Sequence, residues 1–162
     1  MRPGTAVNHQ GDQAMRTPAS VAGHPIHPML VPLAIGLWIF SFVCDLFLLS
    51  GRGGAWPTVA LYTMVGGIVG ALLAAIPGLI DLLSLPPGPR KTAIIHMSIN
   101  LIVVGLFAVN AWMRLRQPES LGTPMLLSAI GLGLLVISGW LGGKLVYEHG
   151  VGVQTPSDLP RP

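Results

Sequence analysis

The chain has 162 residues, of which 51% are hydrophobic and only 9% charged, and its mean hydropathy is +0.67. A soluble domain carries about 25% charged residues, so this composition excludes a water-soluble globule, a disordered chain and a coiled coil together. What remains is an integral membrane protein, provided the apolar residues gather into runs that can cross a bilayer.

In chain order, residues 1–20 (MRPGTAVNHQGDQAMRTPAS) contain no apolar block and predict a disordered polar tail, neither a span nor a signal peptide. The domain runs from 21 to 153 and opens with Gly23-His24-Pro25-Ile26-His27-Pro28. Proline biases the residue before it toward extended backbone, so both histidines are expected on a stiff non-helical strap. Four apolar runs follow, at 29–49, 59–80, 93–112 and 125–143. Each is long enough to span, since a hydrocarbon core takes roughly 20 residues of helix at about 1.5 Å each. The connections are short and rich in breakers: Gly51, Gly53 and Gly54, then LPPGPR at 85–90, then Pro118, Gly122 and Pro124. Tight connections force neighbouring helices antiparallel, which predicts an all-α, up-down-up-down four-helix membrane bundle. Residues 154–162 predict a second disordered tail.

Within the spans, Pro32 and Pro77 are expected to bend their helices. Cys44, the only cysteine, reads as a small buried hydrophobe. Trp56 and Trp112 sit at span ends as interfacial anchors, whereas Trp38 and Trp140 lie deeper and read as packing groups. Gly66, Gly70, Ala74 and Gly78 recur every four residues, and Gly139 and Gly143 repeat the spacing. Small-residue stripes let helices approach closely in lipid, so they imply packing within the bundle or a homodimer seam. Loop cations set orientation. Arg2, Arg16, Arg90, Lys91, Lys144 and Arg161 fall on the face with the termini, against Arg52, Arg114 and Arg116 opposite. The excess places both termini in the cytoplasm.

With antiparallel helices, His24, His27, His96 and His149 all reach one membrane face, and Asp81 closes the second helix there; His9 lies in the tail. Glu148 is nearby, and Asn100 is one turn from His96 on the same side of its helix. Converging imidazoles and a carboxylate suit zinc, iron or copper better than calcium or magnesium. His27, His96 and His149 are the principal candidate ligands, with Asp81 a ligand or supporting partner and His24 the alternative. One metal with bonds near 2 Å needs those rings within about 10 Å of one another. A b haem held between His27 and His96, with Arg90 and Lys91 at its propionates, is a variant of the same reading. A structural hydrogen-bond network, or simply interfacial histidines, are the alternatives. At the other face, Asp45, Asn110 and Arg114 predict a structural charge pair.

The strings GHPIHPMLVPLAIGLWIFSFVCDL, AAIPGLIDLL and SGWLGGKLVYEHGVGV, with the His96/Asn100 pair, resemble a bacterial membrane-protein family filed as domain of unknown function 2231. The likeness covers roughly Val21 to Val153. It implies a four-helix domain of the bacterial inner membrane, joined in some other proteins to iron–sulfur or cytochrome modules, and hence a redox neighbourhood. No such module is present here. The expected function is therefore metal or haem binding in a redox or metal-handling role, in a membrane redox complex or a homodimer. The alternative is a small non-catalytic subunit or assembly factor. No nucleophile and base pair, phosphate loop or zinc-protease motif is present, and nothing suggests a nucleic-acid partner.

Overall fold

The computed structural model describes Met15 and residues 17–51, 53–118 and 120–153. The N-terminal residues 1–14 and the C-terminal residues 154–162 lie outside it, as do Arg16, Arg52 and His9, so most of both predicted tails and part of the charge tally fall there. Four helices make the bundle: α1 (Ile26–Leu49), α2 (Trp56–Ser84), α3 (Pro87–Arg116) and α4 (Gly122–Tyr147). All four are long and apolar enough to cross a membrane, which implies a lipid environment and an up-down-up-down course.

Most helix ends outrun the apolar runs, because hydropathy reports the depth of lipid while a helix continues until its backbone is interrupted. Prolines set several of these limits. α2 opens with Trp56-Pro57 and α3 at Pro87, where a missing N–H costs nothing. Leu85, held extended before Pro86, ends α2. His27, expected on the strap, is instead in the first turn of α1, since Pro28 is still early enough to need no hydrogen bond.

A two-residue hairpin precedes α1, with β1 (Ser20–Val21) paired to β2 (His24–Pro25). Its turn puts Ala22 at φ 50° and Gly23 at φ 80°, the left-handed geometry a tight hairpin requires. Thr17 and Ala19, which the sequence assigns to the tail, are buried. After α4 the chain turns at Gly150 (φ 65°), where Val151 N–H donates to Leu145 O at 3.0 Å. Met15 N–H then donates to Gly150 O at 3.3 Å and Gly152 N–H to Met15 O at 2.9 Å, so the segments that precede α1 and follow α4 meet at one end of the bundle.

Packing follows one scheme used twice. In the first hairpin of helices, side chains of α1 donate to backbone carbonyls of α2: Ser41 to Ala60 (2.8 Å), Trp38 to Met64 (3.1 Å) and His27 to Ala74 (2.7 Å). In the second, α3 donates to α4: Asn110 to Pro124 (2.7 Å) and His96 to Ser138 (2.9 Å). Adding 69 to His27, Trp38, Ser41 and Asp45 gives His96, Phe107, Asn110 and Arg114, the separation across the Asp45–Arg114 contact itself. Adding 64 to Ala60, Met64, Gly67 and Ala74 gives Pro124, Ser128, Gly131 and Ser138, all buried in α4. Residues 26–83 and 95–147 thus use equivalent positions alike, as two copies of one helical hairpin facing each other across the bundle axis. Three pairs of equivalent positions meet across it: His27–His96, Trp38–Phe107 and Asp45–Arg114.

Glycines form sockets for the rings. A Cβ at Gly67 would stand 2.5 Å from the Trp38 indole, and one at Gly131 2.8 Å from the Phe107 ring. Gly78 lies against His27 in the same way, and Gly142 is in ordinary contact with His96. Trp38 and Phe107 stack at 4.3 Å in the core with Met64, Val103 and Ala111. The α2 stripe is therefore filled by α1: Gly66 meets Leu37 and Gly70 meets Ala34. On α4, Gly139 meets nothing within 4 Å and Gly143 only Tyr147 of its own helix. Trp140, expected inside, is 77% exposed beside them and faces lipid. Pro32 and Pro77 lie inside α1 and α2, and Cys44 is fully buried.

Candidate functional site

The polar groups lie in two layers, one at each end of the apolar core. At the end where Met15 meets Gly150 and Gly152, the His27 and His96 ring centres are 6.2 Å apart and the rings nearly perpendicular, at 85°. Each ring is aimed by a carbonyl on the adjoining helix. A carbonyl oxygen only accepts, so Nδ1 of His27 carries its hydrogen toward Ala74 O (2.7 Å) and Nδ1 of His96 carries its own toward Ser138 O (2.9 Å). In its neutral form each ring then presents a lone pair at Nε2.

The two lone pairs have different fates. Nε2 of His96 accepts from the Asn100 amide at 3.1 Å. The Asn100 Oδ1 accepts from the Ser138 hydroxyl at 2.9 Å, and that hydroxyl lies 3.0 Å from His96 Nδ1. The three side chains form a closed ring of hydrogen bonds. Adding 69 to Val31 gives Asn100 and adding 64 to Ala74 gives Ser138, so the first copy has apolar side chains at both places. Nε2 of His27 has no hydrogen-bond partner among the described residues.

Asp81, near the end of α2, is 8% exposed and accepts the Ala19 N–H at Oδ1 (2.9 Å), which pins the segment before β1 onto the bundle. It is close enough to His27 for the two to interact electrostatically. His24 is exposed and folds its Nδ1 onto Ala22 O at 3.0 Å. His149 follows α4 and is half-buried. Glu148 is exposed and pairs with Lys144 at 3.4 Å.

Of the expected ligands His24, His27, Asp81, His96 and His149, the structure thus brings His27 and His96 together, with Asp81 beside His27. Among the described residues no group of three or more His, Cys, Asp or Glu side chains is placed to hold a metal ion. The Nε2 of His96, which an axial haem ligand would need, is engaged here by Asn100.

At the opposite end, Arg114 donates from Nη1 and Nη2 to both oxygens of Asp45, each at 2.7 Å. Its Nε donates to Asn110 Oδ1 at 2.9 Å, and Asn110 Nδ2 donates to Pro124 O (2.7 Å) and Ser128 Oγ (2.8 Å). Asp45, Asn110 and Ser128 are buried, and no buried side-chain nitrogen or oxygen among the described residues lacks a partner. The arrangement ties α1, α3 and α4 together with each of its buried polar side chains partnered.

Sequence reasoning missed Ser138, Ser128, Ala19 and the socket Gly142, and read Gly78 as part of a packing stripe without its histidine partner. A hydroxyl inside an apolar span was the available signal for the two serines, because an unpartnered one is costly in lipid. Ala19 acts through its backbone and gives no such signal.

The profile of a family described as predicted membrane protein (DUF2231) matches residues 23–155. No curated protein and no solved structure is significantly similar to the chain.

Proposed function

The chain belongs to the DUF2231 family of predicted membrane proteins, and from that premise we propose that it is a small non-catalytic subunit or assembly factor of a membrane complex. The closed ring of His96, Asn100 and Ser138 carries this reading, since it engages both nitrogens of the His96 imidazole in holding α3 to α4. The Asp45–Arg114–Asn110 cluster does the same between α1, α3 and α4. The open Gly139/Gly143 face of α4 is where a partner helix or a second copy would approach. The cations Arg90, Lys91 and Lys144 favour the bacterial cytoplasmic face for the histidine end, with both termini inside.

A second reading is favoured by one observation, the open Nε2 of His27 beside a second imidazole. In that reading the layer takes a transition metal (zinc, iron or copper) or a b haem in a redox or metal-handling role, with Asn100 turning away from His96. Purification in mild detergent separates the two. The subunit reading expects no Soret band and no stoichiometric metal, and expects a larger assembly in native membranes that Gly139→Leu/Gly143→Leu disperses. A Soret band or bound metal lost in His27→Ala would replace it with the second reading.

A further inference from the structure

Arg90 and Lys91 stand in the first turns of α3 on the face that carries Pro87 above and Ile94 and Ile95 below, around a shallow trough of about 380 Å³. The spacing i, i+3, i+4, i+7, i+8 keeps all five on one side of the helix. Both cations are exposed, and Ile94 and Ile95 are 49% and 44% exposed. The trough thus places positive charge where the helix leaves the bilayer and bare apolar surface one to two turns deeper.

No carboxylate within the described part of the chain neutralises this pair. At this end of the bundle Asp81 is buried beneath Ala19, and Glu148 pairs with Lys144. Neither Arg90 nor Lys91 has an ion-pair partner among the described residues. The internal repeat sharpens the point. Subtracting 69 from residues 87–95 gives 18–26, so in the first copy the corresponding residues are the segment before α1, held to Asp81 through Ala19. In the second copy they open α3, with Arg90 and Lys91 exposed.

We infer that Arg90 and Lys91, with Pro87, Ile94 and Ile95, form a binding site for an anionic phospholipid. The phosphate is held by the guanidinium and ammonium groups, and an acyl chain lies along the two isoleucines. The headgroup supplies the counter-charge that the described part of the chain lacks, and its tail covers surface that would face lipid in any case. A free anion would satisfy only the upper half of the trough. Each cation near an anionic surface raises association about fivefold.

The full chain, reconstituted in phosphatidylcholine bilayers with a trace of chain-spin-labelled phosphatidylglycerol or phosphatidylcholine, provides the test. The motionally restricted fraction should show a several-fold preference for phosphatidylglycerol, which high salt weakens and inorganic phosphate at equal charge does not abolish. Arg90→Gln/Lys91→Gln should remove the preference, whereas Arg90→Lys and, at the opposite face, Arg116→Gln should keep it. Helix content and unfolding midpoint, measured on each variant, separate a lost site from a lost fold. Equal restriction of the two lipids in the unaltered protein, a preference that survives the double variant in a folded protein, an equal loss in Arg116→Gln, or displacement by inorganic phosphate would each overturn the proposal.

Discussion

The two helical hairpins share a packing scheme and differ in what they do at the histidine end. In the second, Asn100 and Ser138 close around His96; in the first, Val31 and Ala74 leave the Nε2 of His27 without a hydrogen-bond partner among the described residues, and Asp81 instead holds the segment before the β-hairpin through Ala19. Near the middle the copies agree: an aromatic ring on a glycine socket, stacked across the axis on its counterpart. Packing in lipid depends on close fit and satisfied polar groups, so the shared middle reads as the scaffold and the unequal ends as the places free to differ. The Asp45–Arg114 pair adds a second lesson. Equivalent positions in two identical copies would carry like charges across the axis, so this pair is possible only because the copies differ.

The largest effect should come from breaking that pair. Asp45→Ala leaves the Arg114 guanidinium, only 9% exposed, without a counter-ion and should cost about 3–5 kcal/mol, read as the shift in a denaturant or SDS unfolding curve. Because the two positions are equivalent, Asp45→Arg/Arg114→Asp should recover more than half of what either single change loses. A double variant as weak as the sum of its singles would argue against the equivalence.

The sockets come next. Gly67→Ala and Gly131→Ala push a methyl group into the Trp38 and Phe107 rings and should each cost about 1–3 kcal/mol, whereas Gly139→Ala, with open space around it, should leave the unfolding midpoint unchanged. Similar losses at 67 and 131 would support one scaffold in two copies; a loss at only one would separate them.

The histidine end should give smaller changes. Ser138→Ala removes the donor to Asn100 and should cost about 0.6–1.7 kcal/mol, the range of interhelical hydrogen bonds in membranes. The converse, Val31→Asn/Ala74→Ser, gives the first copy the residues of the second and should raise stability by a similar amount if a closed ring forms around His27. Smallest of all, Glu148→Gln breaks an exposed pair with Lys144 and should change stability by less than about 0.5 kcal/mol.

The sequence carried the architecture, because four runs separated by breakers leave few alternatives, and hairpin counting alone brought His27, His96 and Asp81 to one end. It could not say which ring uses which nitrogen. That depends on helix rotation, which aims Nδ1 of each histidine at a carbonyl, and a backbone carbonyl leaves no mark in a sequence. Rotation also explains Trp140, whose depth was legible but whose direction was not. The repeat was hidden for a related reason. The equivalent residues are mostly similar in role, as with Trp38 and Phe107 or Ser41 and Asn110, rather than identical, and the two offsets differ by five residues. The strap was misjudged at both ends: Thr17 and Ala19 are polar-tail residues by composition and buried by contact, while Pro28 signalled a break that the first turn of a helix does not feel.

The pairing of Met15 with Val151 makes the chain nearly circular. Three of the links between neighbouring helices are peptide chain, and the fourth, from α4 back to α1, is a pair of backbone hydrogen bonds. A covalent joint there, with the chain reopened between residues 117 and 121, would exchange the order of the two copies without moving a helix. Which hairpin is made first would then become a choice of where to cut the ring.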